Sequence, residues 1–118
     1  MNREIKFRQF IDGKFHYWGF LEKGIFTTPK DSKYPSKQFT GLYDKNKKMI
    51  WEGDIVRIQN NYKTDEPVDA VTKVFFKDGA FETDFYATLI RIALPGNWIV
   101  EVIGNIYENP ELLESKNE

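Results

Sequence analysis

Cysteine is absent from the 118 residues and histidine occurs once, at position 16. The first absence excludes disulfides, thiolate zinc sites and cysteine nucleophiles. The second excludes a cluster of imidazole ligands or a histidine pair. His16 stands inside KFHYWGF among aromatic residues, where a packed strand residue outweighs a catalytic base. Serine is scarce as well, at positions 32, 36 and 115 only, and none sits in a G-x-S-x-G elbow. The eight glycines never fall into a G-x-G-x-x-G or Walker pattern, so no phosphate cradle is written here. The carboxylates Asp65, Glu66 and Asp69, and again Glu82 and Asp84, lack the spacing of a calcium loop. No window approaches the ~18 uncharged apolar residues of a membrane span. The start, MNREIKFRQF, is charged and alternating rather than the apolar run of a secretory signal. These absences argue against an enzyme, a metal, a cofactor and a membrane.

Aromatic residues are abundant: ten Phe, six Tyr and three Trp, 16% of the chain within a hydrophobic total of 41%. That is enough for a core without disulfides, and aromatic side chains favour strands. Net charge is −1, so the whole molecule gives no electrostatic steering toward nucleic acid. The charge is unevenly placed. Residues 30–48 carry six lysines against Asp31 and Asp44, a local +4, and residues 101–118 carry five glutamates against Lys116, a local −4. A solvated surface is the simplest reading of both.

EIKFRQF alternates at period two, Asp12-Gly13 is tight-turn chemistry, and KFHYWGF resumes the alternation, which predicts an N-terminal hairpin. The second strand has aromatic residues on both faces, so Trp18 and Phe20 are candidates for a subunit interface. TTPKDSKYPSK (27–37) has no periodicity and reads as an exposed connector. QFTGLY and MIW flank a turn, DKNKK, in which Asp44 bonds its own backbone and Asn46 takes the left-handed conformation. Glu52-Gly53-Asp54 then forms a corner that needs glycine's backbone freedom. Asp78-Gly79 predicts a second tight hairpin between VTKVFF and AFET. FYATLIRIAL suits a short helix capped by Asp84, with Phe85, Leu89, Ile92 and Ala93 at helical spacing. WIVEVIGNIY is a strand bulged at Gly104, and Asn109-Pro110-Glu111 opens a terminal helix that docks Leu112 and Leu113.

Three stretches together resemble the YopX-like proteins of bacteriophages and prophages: REIKFR at 3–8, QFTGLYDKNKKMIWEGDIV at 38–56, and EVIGNIYENPELL at 101–113. One departure is visible: such sequences place glycine after the asparagine of the hairpin turn, where Lys47 stands here. The resemblance implies an N-terminal β region followed by a bent barrel, and it carries no catalytic residues.

The resulting expectation is a mainly β protein. Residues 1–37 form a hairpin region and connector, and residues 38–118 form a small bent barrel of the Src-homology-3 kind with a short C-terminal helix. The expected role is a non-catalytic accessory or interaction module of phage or prophage origin, acting in the cytoplasm of a bacterial host. Its expected partners are further copies of itself and a phage or host protein. The alternative is nucleic-acid binding through the hairpin tip, with Lys45, Lys47 and Lys48 beside Tyr43 and Trp51.

Overall fold

The computed structural model describes residues 5–20, 25–85, 88–93 and 96–114. Among the described residues nine strands form two antiparallel sheets. The first has five strands in the order β3-β2-β1-β4-β5: β1 (Lys6–Ile11), β2 (Lys14–Phe20), β3 (Phe26–Thr27), β4 (Lys37–Tyr43) and β5 (Met49–Trp51). The second has four, ordered β8-β7-β6-β9: β6 (Asp54–Asn60), β7 (Asp69–Lys77), β8 (Ala80–Thr83) and β9 (Trp98–Asn105). Helices α1 (Leu89–Ala93) and α2 (Glu111–Glu114) complete the chain. Part of the FYATLIRIAL segment (86, 87 and 94) and Ser115 lie outside the described residues.

Two hairpins follow directly from turn chemistry. Asp12-Gly13 and Asp78-Gly79 place both central residues at positive φ (52° and 81°, 54° and 82°). This is the mirror-image turn whose twist matches that of its strands. The β1–β2 register runs from Lys6 opposite Gly19 to Ile11 opposite Lys14, without interruption.

The mainly β character holds, but the expected small bent barrel does not close. Lys37 and Gln38 of β4 pair with Arg8 and Phe7 of β1, so the β4–β5 hairpin belongs to the first sheet and the second remains open, with β8 and β9 as its edges. Alternation in the hairpin serves both sheets. Phe39 and Trp51 pack together on one side (ring centroids 5.6 Å apart), while Ile50 turns to the other and joins Val56, Ile58, Val74, Leu89, Ile92 and Val100 in the main core. Burying each such side chain contributes about 1.5–3 kcal/mol. Leu42 of β4 packs on the same cluster.

The predicted short helix is present, with Leu89 and Ile92 fully buried. It starts later than expected: the Thr88 carbonyl accepts from the amides of Arg91 and Ile92, and Phe85 lies before the helix. In β9 the register slips, Ile55 facing Gly104 but Val56 facing Val102, which is the anticipated bulge. A Cβ at Gly104 would lie 2.7 Å from Asn109 Oδ1, so only glycine lets the turn after β9 fold this closely. The connector is exposed for most of its length but lashed to the sheet. Gln9, fully buried in β1, donates to the carbonyls of Asp31 and Tyr34 and accepts from the amide of Lys30. No helix among the described residues is long and apolar enough to cross a membrane.

Candidate functional site

The two sheets meet at the corner that joins β5 to β6. Gly53 has φ of +93°, as its place in the corner demands. Its amide donates to Val74 of β7, its carbonyl accepts from Ile106, and the neighbouring Glu52 amide donates to Gln38 of β4. Asp54 follows, buried, and its two oxygens look in different directions. Oδ2 accepts from the Trp51 amide at 2.7 Å, which closes the turn. Oδ1 accepts from Arg8 Nη2 of β1, also at 2.7 Å, which fastens the first sheet to the second. Burial pushes the Asp54 carboxyl above its ordinary value, against the pull of the Arg8 charge and of the Trp51 amide.

Arg8 lies over two rings, 3.9 Å from the Phe15 centroid and 4.8 Å from that of Trp51. This is the stacked geometry that suits a planar guanidinium. Around it the rings form a continuous row: Tyr107, in the turn after β9, stacks on Phe10, Phe10 meets Phe15, Phe15 meets Tyr17, and Tyr17 meets Trp51. A cleft of about 360 Å³ opens beside this row. It is lined by residues of β2 and β5 (Phe15, Tyr17, Met49, Trp51), by the end of β9 and the turn after it (Val102, Gly104, Asn105, Glu108), and by Arg8, Lys48 and Asp54.

The tip of the β4–β5 hairpin is a clasp. The turn is a tight one, with the Lys47 amide donating to the Asp44 carbonyl at 2.9 Å. The left-handed residue is Lys47 (φ 65°), not Asn46. Asp44 is buried and accepts three amides: Asn46 (2.8 Å) and Lys48 (2.9 Å) in its own turn, and Val102 of β9 (2.9 Å). The Lys45 amide adds a bond to the Val100 carbonyl.

The candidate residues are therefore dispersed. Lys45 points its ammonium to Glu101 at 3.7 Å, so the basic and acidic segments meet within one chain. Lys47 is exposed at the turn, and Lys48 lines the cleft. Trp18 is half-buried on the opposite face of the first sheet, stacked on Phe7 at 4.3 Å and donating from Nε1 to Ser36 Oγ at 2.9 Å. Phe20 is half exposed at the sheet's edge, against Phe26 at 5.0 Å. Sequence reasoning missed Arg8, Asp54 as its partner, and Tyr17 as a cleft wall. A signal for Arg8 was present: it falls in phase with Phe10 on an alternating strand, where a charge needs a buried partner. Among the described residues no group of three or more His, Asp or Glu could hold a metal ion.

Comparisons with known proteins agree with this architecture. The solved crystal structure of protein EF1440 from Enterococcus faecalis has a TM-score of 0.51 and 29% identity, covering 93% of this chain and 75% of that one. The SPbeta prophage-derived uncharacterized protein YopX of Bacillus subtilis (strain 168) is 35% identical over 72 residues, 57% of this chain and 52% of the relative, so the chain spans about half that protein's length. The family model described as YopX protein matches residues 12–114, a span that takes in the corner, the clasp and the bulge, and the chain belongs to the YopX family.

Proposed function

We propose that this protein is a non-catalytic interaction module of prophage origin, acting in the cytoplasm of its bacterial host and self-associating through the outer edge of the five-stranded sheet. The observation that carries the reading is a group of exposed apolar side chains there. Phe20, Ile25 and Phe26 are 50%, 57% and 55% exposed, and two of them pack ring on ring. Large apolar side chains left together in water mark an interaction surface. Phe26 sits on β3, a two-residue strand that is the sheet's edge among the described residues, with Phe20 opposite it at the end of β2 and Ile25 just before it, and a second copy related by a two-fold axis would cover them. A non-catalytic role is supported by the buried carboxylates Asp44 and Asp54, both of which are engaged in holding elements together. The nucleic-acid alternative has less support, because the three lysines of the hairpin do not converge on one surface.

Sedimentation tests the reading. Wild type is expected to be dimeric at roughly 10–50 µM, the range of a weak interface. The double variant Phe20→Ser, Phe26→Ser is expected to be monomeric with little change in Tm. A monomeric wild type at that concentration would sink the proposal.

A further inference from the structure

The charges that line the cleft cancel. Arg8 and Lys48 are matched by Asp54 and Glu108, and both cations draw on the Asp54 carboxylate. No net charge remains to select an ion. What remains is hydrogen-bond donors beside rings. The Trp51 indole N–H, on a side chain only 5% exposed, has no acceptor among the described residues. Arg8 Nε lacks one too, but it is shut in; the Trp51 N–H is not, and the open space that Trp51 borders is the cleft. Tyr17 stands 5.4 Å from Trp51 with its ring tilted by 56°, and it is 52% exposed. Its hydroxyl is likewise without a partner among the described residues. Met49 and Val102 add apolar lining.

We propose that the cleft binds an uncharged proline-rich segment of a partner protein, with prolyl rings against Tyr17 and Trp51 and a backbone carbonyl on the Trp51 N–H. The proposal rests on the reading of the chain as an interaction module and adds a second, separate surface to it. Proline has no N–H, so an extended prolyl segment offers carbonyl acceptors and apolar rings without bringing donors. That is the complement of ring walls whose free groups are mostly donors. An extended segment of other residues would bring its own N–H donors to those already there, and a helix keeps most of its carbonyls for itself. A phosphate chain or an acidic segment gains nothing from a cleft whose charges balance. The polyproline conformation is preformed and loses little entropy on docking against aromatic side chains. The cleft, about 360 Å³, has the size of a recognition pocket. The segment does not come from a second copy of these 118 residues, because no two of their five prolines lie closer than six positions apart.

Titration with N-acetyl-octaproline amide, followed by NMR, tests the proposal. The probe is expected to shift resonances of Tyr17, Met49, Val102 and Gly104, and to move the Trp51 indole proton downfield, with a Kd of about 0.5 mM. The Trp18 indole proton, bonded to Ser36 Oγ on the opposite face of the sheet, should stay in place. An acetylated, amidated glycine-serine peptide of the same length should bind about tenfold more weakly. Tyr17→Ala, at an exposed position, should weaken octaproline by a similar factor in a protein that keeps its Tm. Raising salt from about 0.05 to 0.5 M should leave the Kd unchanged, because no ion pair forms. The proposal is overturned if octaproline moves no cleft resonance at about 5 mM, ten times the expected Kd. It is equally overturned if the glycine-serine peptide binds as well, if Tyr17→Ala is silent, or if octathymidylate binds more tightly than octaproline. Absence of probe binding in a protein that still dimerises through Phe20 would sink the cleft alone. Retained probe binding in a monomeric protein would sink only the edge.

Discussion

Lys47 holds a left-handed backbone at a position where YopX-like sequences place glycine, and a side chain there costs energy that glycine would not. The Asp44 carbonyl bonded to the Lys47 amide, followed by one residue at positive φ, is a turn-and-bulge connection that favours glycine at that place. Lys47→Gly should therefore stabilise the fold. The gain is reduced by the extra freedom glycine has when unfolded, leaving about 0.5–1 kcal/mol, and calorimetry should show a higher Tm. Asp54 gives the opposite kind of test. Its folded carboxyl titrates above the ordinary 3.8, so between that value and its raised one the folded chain binds more proton than the unfolded chain. Stability from this group is then fullest at the acid end of the window and falls as pH rises through the folded value. Asp69 acts with the other sign and lower down, because its hydrogen bond with Arg57 holds it below 3.8. Relative to Asp54→Asn, wild type should lose ground in Tm as pH rises from about 4, then level off above the folded value. A difference that grows with pH would contradict the assignment.

At the scale of elements, the β4–β5 hairpin works as a bridge, with a buried aspartate at each end. Asp54 ties its base to β1, and Asp44 ties its tip to β9. Removing the Asp44 carboxylate leaves three amides without their acceptor, each costing about 1–3 kcal/mol where it stays dry. Asp44→Ala should destabilise by roughly 3 kcal/mol or more, and hydrogen exchange should quicken at Val102 as well as at Asn46 and Lys48. Exchange confined to the turn would mean that the clasp across the sheets carries no energy. The turn half of this arrangement was legible in DKNKK, since an aspartate before a tight turn bonds its own backbone. The other half was not, because Val102 lies 58 residues away and no local pattern encodes that meeting. The same limit explains the barrel. Alternation shows that QFTGLY is a strand, but its pairing with Phe7 and Arg8 rather than with β9 is a tertiary choice. Turns marked by Asp-Gly and the bulge at Gly104 were readable because backbone sterics alone dictate them.

For the whole molecule, the mainly β character follows from aromatic, alternating segments, while the distribution of charge became interpretable only in three dimensions. The local +4 of residues 30–48 and the −4 of residues 101–118 suggest a basic tip and an acidic tail. Folding brings them together at one point, Lys45 to Glu101, while Lys37 of the basic stretch pairs with Glu52 of the corner. A polyanion approaching the hairpin therefore meets carboxylates as well as ammonium groups, on a chain whose net charge is −1. Three independent phosphate contacts to single-stranded nucleic acid would give a log–log salt slope of about −2, and replacing Lys45, Lys47 and Lys48 with glutamine would flatten it toward zero. The dispersed lysines predict a different outcome. Oligonucleotide binding should be no tighter than ~10⁻⁴ to 10⁻⁶ M at physiological salt and indifferent to the triple change. Fluorescence anisotropy across a salt series measures both quantities, and a nanomolar affinity lost in the triple variant would establish the hairpin tip as a nucleic-acid site.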